Sequence, residues 1–161
     1  MKNLMPLLLL ACVPVHVSGF DESQFQGAWL QNGVRWINAP RDINPHLQSG
    51  EAAILYFEED HKFALIYCVV GRVPKEYMNI SHGDPRGVFI GKWDVHGNDI
   101  AIEYRLVDRT VQIKGEKLPG PIQRATIKVS HDTLNFDRKT FRRSPELDKS
   151  AAEVVSGTPQ R

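Results

Sequence analysis

From Gly27 onward, apolar and polar residues alternate along much of the chain. In the segment 99–106, Ile100, Ile102, Tyr104 and Leu106 share one face, while Ala101, Glu103 and Arg105 share the other. The same period recurs in TLNFD, through Leu134 and Phe136. RATIKV repeats it, with Ala125, Ile127 and Val129 set against Arg124, Thr126 and Lys128. Successive side chains of a strand point to opposite faces, so a period of two marks one packed and one wet face, the antiparallel signature. Two segments depart from it. AAILYF (52–57) and ALIYCVV (64–70) are apolar on both faces and are expected beneath a loop or at a contact.

Turn residues divide the chain into predicted strands at 27–31, 52–58, 62–70, 86–95, 99–107, 110–114, 122–130 and 133–141. The turns EDH, HGN, DR and HD and the longer loops 33–51, 71–85 and 115–121 join them. No connection is long and helical enough for a parallel crossover. The pattern predicts an all-β fold, an antiparallel up-and-down barrel of about eight strands. SPELDKSAAEVV then adds a short C-terminal helix, with Ser144 at the N-cap and Pro145 at the first helical position, ending near Gly157.

The N-terminal segment MKNLMPLLLLACVPVHVSG has the layout of a signal peptide: Lys2, a short apolar run, and Val17 and Gly19 at the small-residue positions before Phe20. The run falls short of the ~20 apolar residues that cross a bilayer. Residues 1–19 are therefore expected to direct export to a secreted or periplasmic location, with a barrel domain over 20–155 and a disordered tail at 156–161. LLLLAC leaves an alternative, a lipid anchor on Cys12. Either way Cys68 has no intramolecular partner in the mature chain, and its apolar surroundings predict a buried thiol. Lys2 is the only charge in the leader, so the mature chain carries 19 basic and 19 acidic residues. A balanced surface gives no electrostatic reason to expect nucleic acid as a partner.

Phe25-x-Gly27-x-Trp29 on the first strand, the long first loop, the run of antiparallel strands and the helix after the last strand together resemble the lipocalin-like, or calycin, β-barrels. The resemblance spans about residues 25–155 and implies that Trp29 closes one barrel end under a basic residue of the last strand, with Arg138 first in line and Arg142 second. A second glycine–tryptophan pair, Gly91 and Trp93, echoes the first. The chain lacks the paired cysteines of secreted lipocalins. The fold alone does not assign an activity.

An up-and-down order brings loops 33–51 and 71–85 to one mouth, together with His46, His82 and His131. An apolar cavity is expected behind Trp36 and Tyr77, walled by Ile54, Tyr56, Leu65, Phe89, Trp93, Ile102 and Tyr104, with a fully packed interior as the competing reading. The expected partner is a small, mainly apolar molecule. No spacing of the HxH or HxxxH kind is present, so no metal and no cofactor is expected. Catalysis is not expected either: there is no serine elbow or phosphate loop, and the carboxylates Glu58, Glu59 and Asp60 fall across a hairpin turn. The alternative function is a non-catalytic envelope interaction or structural module with a protein partner, built on the doubly apolar strands. Asn79-Ile80-Ser81 is a glycosylation sequon in a predicted loop.

Overall fold

The computed structural model describes residues 21–40, 44–80, 87–107 and 121–157. Its strands are β1 (Gly27–Gln31), β2 (Ile37–Asn38), β3 (Gln48–Phe57), β4 (Lys62–Val73), β5 (Tyr77–Ile80), β6 (Gly87–His96), β7 (Asp99–Val107), β8 (Gln123–Ser130), β9 (Thr133–Phe136) and β10 (Lys139–Arg143). Helix α1 (Asp148–Ser156) follows a 3-10 turn at Pro145–Leu147, and another 3-10 turn, Glu22–Phe25, precedes β1. Every pairing is antiparallel. The wall runs β1-β3-β4-β6-β7-β8-β9-β10, and β10 returns to β1 with Trp29 opposite Arg143, so eight strands close a barrel. The short strands β2 and β5 extend β3 and β4 beyond it at one end.

The expected architecture is present with three changes of detail. The segment 110–114 lies outside the described residues, and β7 pairs directly with β8. The predicted final strand, 133–141, is instead the hairpin β9–β10, turned at Asp137 and Arg138, which both have positive φ (48° and 60°). Positive φ at both central residues is the type I′ geometry that matches strand twist, usually signalled by Asn-Gly or Asp-Gly. With arginine second, that signal is missing. Lastly, β3 begins at Gln48 and β4 runs to Val73, so the long loops are shorter than their composition suggests.

Two apolar clusters share this wall. The inner one collects Trp29, Ala53, Leu55, Phe57, Phe63, Leu65, Trp93, Ile100, Ile102, Tyr104, Ile127, Leu134 and Phe141. The outer one sets Ala28, Ala52, Ile54, Ala64, Ile66, Cys68 and Val70 against Leu147, Ala151, Val154 and Val155 of the C-terminal helical segment, with Trp36 and Met78 beside them. The doubly apolar strands are thus β3 and β4, which face the barrel on one side and the chain's own helix on the other. Helix α1 starts later than expected. Ser144 makes no side-chain cap but is buried, its N–H donating to Ala28 O at 2.9 Å, and Gly157 ends the helix in a left-handed conformation.

Candidate functional site

The strand directions give the barrel two unlike ends. Turns 58–61, 97–98 and 131–132 sit at one end with the start of β1. At the other end β1 leads to β3, β4 to β6 and β7 to β8 by the long connections, and Asp137-Arg138 makes the tight turn. The two long loops therefore share a mouth, as the meander required. His131 does not join them. It belongs to the opposite end because β7 pairs directly with β8 and the order of turns shifts by one. His46 is exposed near the mouth, and His82 lies outside the described residues, so no three-histidine site forms there.

The first end is plugged. The 3-10 turn carries Phe25 into the inner core at 2% exposure, and Trp29 Nε1 donates to Phe25 O at 2.8 Å. Phe57 packs against Phe63 and Trp93, with ring centroids 5.3 and 5.4 Å apart. Outside the plug, Arg143 binds Asp148 through two bonds, Nη1 to Oδ1 at 2.8 Å and Nη2 to Oδ2 at 2.6 Å. The same pair grips β1: Arg143 Nη1 donates to Ala28 O, and Asp148 Oδ1 accepts from Ala28 N–H. This clamp explains Gly27. Its φ is +97°, and a Cβ there would lie 2.1 Å from Arg143 Nη2. Gly91, the echo, allows another close approach: a Cβ would meet Glu103 O of β7 at 1.8 Å. The guanidinium that reaches β1 is therefore that of Arg143. Arg138 stands in the β9–β10 turn, at the far end from Gly27, and cannot close the barrel under Trp29.

Among the described residues the second end carries no such plug. Leu65, Tyr67, Phe89, Tyr104, Ala125 and Phe136, with polar Gln123, Thr126 and Asp137, line a cavity of about 460 Å³. Its aromatic rings continue inward as one chain of edge-to-face contacts, Tyr67–Phe89 (6.2 Å), Phe89–Tyr104 (5.8 Å) and Tyr104–Phe63 (6.0 Å), with Phe136 on Tyr104 (6.2 Å). Lys139 Nζ stands 5.1 Å over the Tyr67 ring. Partial burial, aided by the Asp137 charge, pushes the Tyr67 and Tyr104 hydroxyls above the usual phenol range, so both are neutral donors at pH 7. The mouth also has an apolar rim. Ile37, Tyr77, Leu106 and Ile122 are each more than one-third exposed, and all four lie toward this end.

Of the residues expected to form the wall, Leu65, Phe89, Trp93, Ile102 and Tyr104 point inward, and Trp93 and Ile102 belong to the packed part. Four others do not line the cavity. Tyr56 and Ile54 face outward, because Ala53, Leu55 and Phe57 take the inner positions of β3. Trp36 packs on the outer cluster with the Arg72 guanidinium 3.8 Å from its ring centroid. Tyr77 lies on β5, half exposed, outside the barrel wall. Tyr67, Phe136 and Asp137 were missed; Tyr67 shares its face with Leu65, a signal hidden by apolar neighbours on both sides. Asn79, the sequon residue, is on β5 and partly buried; Ser81 lies outside the described residues.

Cys68 and Glu103 have structural settings. Burial pushes the Cys68 thiol up to about 12, which keeps it inert at neutral pH. Glu103 faces away from the cavity and pairs with Arg124 at 2.8 Å, so it does not meet Tyr104 as an acid–base partner. A broader groove of about 730 Å³ along β6–β8, open to solvent, is lined by Trp93, Ala101, Ile102 and Ala125 together with His61, Asp94 and the charged Lys92, Glu103 and Arg124. Among the described residues no helix is long and apolar enough to cross a membrane.

The fold is a closed, eight-stranded antiparallel barrel with a C-terminal helix, compatible with the calycin architecture. No family model, curated protein or solved structure matches the chain.

Proposed function

We propose that this protein is an exported carrier of one small, mainly apolar molecule, held in the open end of the barrel. One observation carries the reading: a cavity of about 460 Å³ lined by six apolar or aromatic residues and by polar Gln123, Thr126 and Asp137, at the end opposite the packed plug. That volume suits a small ligand, and a pocket with few polar groups at its rim is the usual form of such a site. Tyr67, Tyr104, Gln123 and Asp137 would orient the polar end of the molecule at the mouth. The leader MKNLMPLLLLACVPVHVSG supports export. The envelope-module reading rests on the doubly apolar strands, whose outer face is packed by the chain's own helix α1.

The test is saturable binding of anilinonaphthalene sulfonate, followed by competition with apolar compounds. Ala125, a small half-buried residue of the cavity wall, is the site for blocking. Ala125→Trp is expected to abolish dye binding while leaving the barrel folded. Unsaturable dye uptake, or uptake that Ala125→Trp leaves unchanged, would remove the carrier reading. N-terminal sequencing of the exported chain should begin at Phe20; a blocked Cys12 would replace soluble export by a lipid anchor.

A further inference from the structure

We infer that the plugged end of the barrel carries a binding site for a divalent first-row transition-metal ion, held by Glu22, His61 and Asp94. The three residues come from three elements: the 3-10 turn that carries Phe25, the β3–β4 turn, and β6. Their ligand-donor atoms all lie within 4.8 Å of one another, and His61 Nε2 is 3.5 Å from Glu22 Oε2. Zinc bonds of about 2.0–2.2 Å to nitrogen and oxygen place donors roughly 3.4 Å apart around a tetrahedral ion. The first pair already has that spacing, and an oxygen of the exposed Asp94 carboxylate lies within 4.8 Å of both.

The imidazole is held in place before any ion arrives. His61 Nδ1 contacts Trp93 O at 3.2 Å, and the ring stacks on Trp93 with centroids 5.1 Å apart. A backbone carbonyl on one ring nitrogen leaves the other as the ligand, which is the arrangement that fixes metal-bound histidines in general. Asp94 is anchored too: Oδ1 accepts from Val95 N–H at 2.9 Å, and Oδ2 faces His96 Nε2 at 3.5 Å. Among the described residues, the only ion-pair partners of Glu22 and Asp94 are these two histidines, while neighbouring Lys62 is taken by Asp60 and Glu58. An imidazole balances a carboxylate only when protonated, whereas a divalent cation binds both. Mixed imidazole and carboxylate donors select zinc or copper over calcium and magnesium, which favour oxygen alone. The ion would join the plug to the β3–β4 hairpin, at the opposite end from the cavity.

Titration of the full chain, purified without a polyhistidine tag, with zinc chloride and separately with calcium chloride tests this. One equivalent of zinc is expected to bind and to raise Tm by several degrees, because an ion bound only by the folded state stabilises it; calcium is expected to do neither. His61→Asn, chosen because His61 has φ +60° and asparagine tolerates that conformation, should weaken zinc binding at least ~10-fold, as should Asp94→Asn. His46→Ala should leave it unchanged. Copper(II) should quench the emission of Trp93 in the parent and not in His61→Asn. Zinc uptake that survives His61→Asn, equal uptake of calcium, or no uptake at millimolar zinc overturns the site. Circular dichroism of each variant without metal separates loss of the site from loss of the fold.

Discussion

At the plugged end Phe25, Trp29, Phe57, Phe63, Trp93 and Phe141 are each 5% exposed or less, whereas at the open end Tyr67, Phe89 and Phe136 are only partly buried around an unfilled volume. The same strands build both regions, and both are lined by aromatic rings. What separates them is what covers the barrel. At one end the chain supplies its own lid, the turn Glu22–Phe25, tied by the Trp29–Phe25 hydrogen bond and backed by the Arg143–Asp148 clamp. At the other end β3 and β4 run on past the wall, paired with β2 and β5. Aromatic content therefore does not distinguish core from cavity here; the presence of a partner for each ring face does.

The contrast can be broken by emptying each end in turn. Phe57→Ala at the plugged end should cost about 3–5 kcal/mol in urea unfolding, the scale for removing a fully buried ring. Phe89→Ala at the open end should cost only about 1–2 kcal/mol, since that ring already faces open space, and should weaken dye binding instead. Equal losses at both positions would show that the open end is as tightly packed as the plug.

The clamp sharpens the comparison next. Gly27→Ala should destabilise by about 1–2 kcal/mol through its left-handed backbone alone, and more as the added methyl displaces Arg143. Asp148→Asn should cost about 1–2 kcal/mol, moderated because the pair is partly solvated. If either variant matches the parent, the C-terminal segment does not secure the plug.

A pH series tests the outer core that supports both ends. The folded-state pKa of Cys68 is raised by burial from 9.0 to about 12, so the folded chain keeps a proton that the unfolded chain gives up. The sign is therefore loss of stability as pH rises from about 9 toward 12, with the contribution fully present below 9. Tyr56, Tyr67 and Tyr104, raised chiefly by burial, add to the same decline above pH 10. Cys68→Val should flatten the slope between pH 9 and 10 in urea melts, and an unchanged slope would place the thiol in water.

The smallest expected effect is a gain. Arg138 is exposed with φ +60°, a conformation unfavourable for a residue that carries a Cβ, so Arg138→Gly should stabilise by roughly 1 kcal/mol. Destabilisation on that scale would instead support a packing role for Arg138, the one that resemblance to calycins suggested.

Alternation made most of the wall legible. Ile100, Ile102 and Tyr104, and likewise Ala125, Ile127 and Val129, face inward as their spacing requires, because their outward neighbours are polar and set the phase. In β3 and β4 both faces are apolar and the phase is lost. Tyr56 was therefore assigned inward where Leu55 and Phe57 belong, and Tyr67 was passed over. Chain order puts Trp36 and Tyr77 near the mouth, but Trp36 packs on the outer cluster and Tyr77, at the rim on β5, does not line the cavity. The Asp137-Arg138 turn carried no glycine to announce it, so one strand was read where two exist and Arg138 was put on a strand.

By itself the chain's two-residue period determined an antiparallel all-β barrel, its approximate strand count and the shared mouth of its two long loops, because these follow from local alternation and the parity of connections. Which face of a doubly apolar strand turns inward, which end is plugged, and which carboxylates meet His61 were decided only by tertiary structure. Each depends on what a distant segment covers: helix α1 on the outer face, Phe25 at the end, and Glu22 beside a turn nearly forty residues away. Local pattern records how a residue is disposed toward water, and contacts between distant segments decide where that disposition is satisfied.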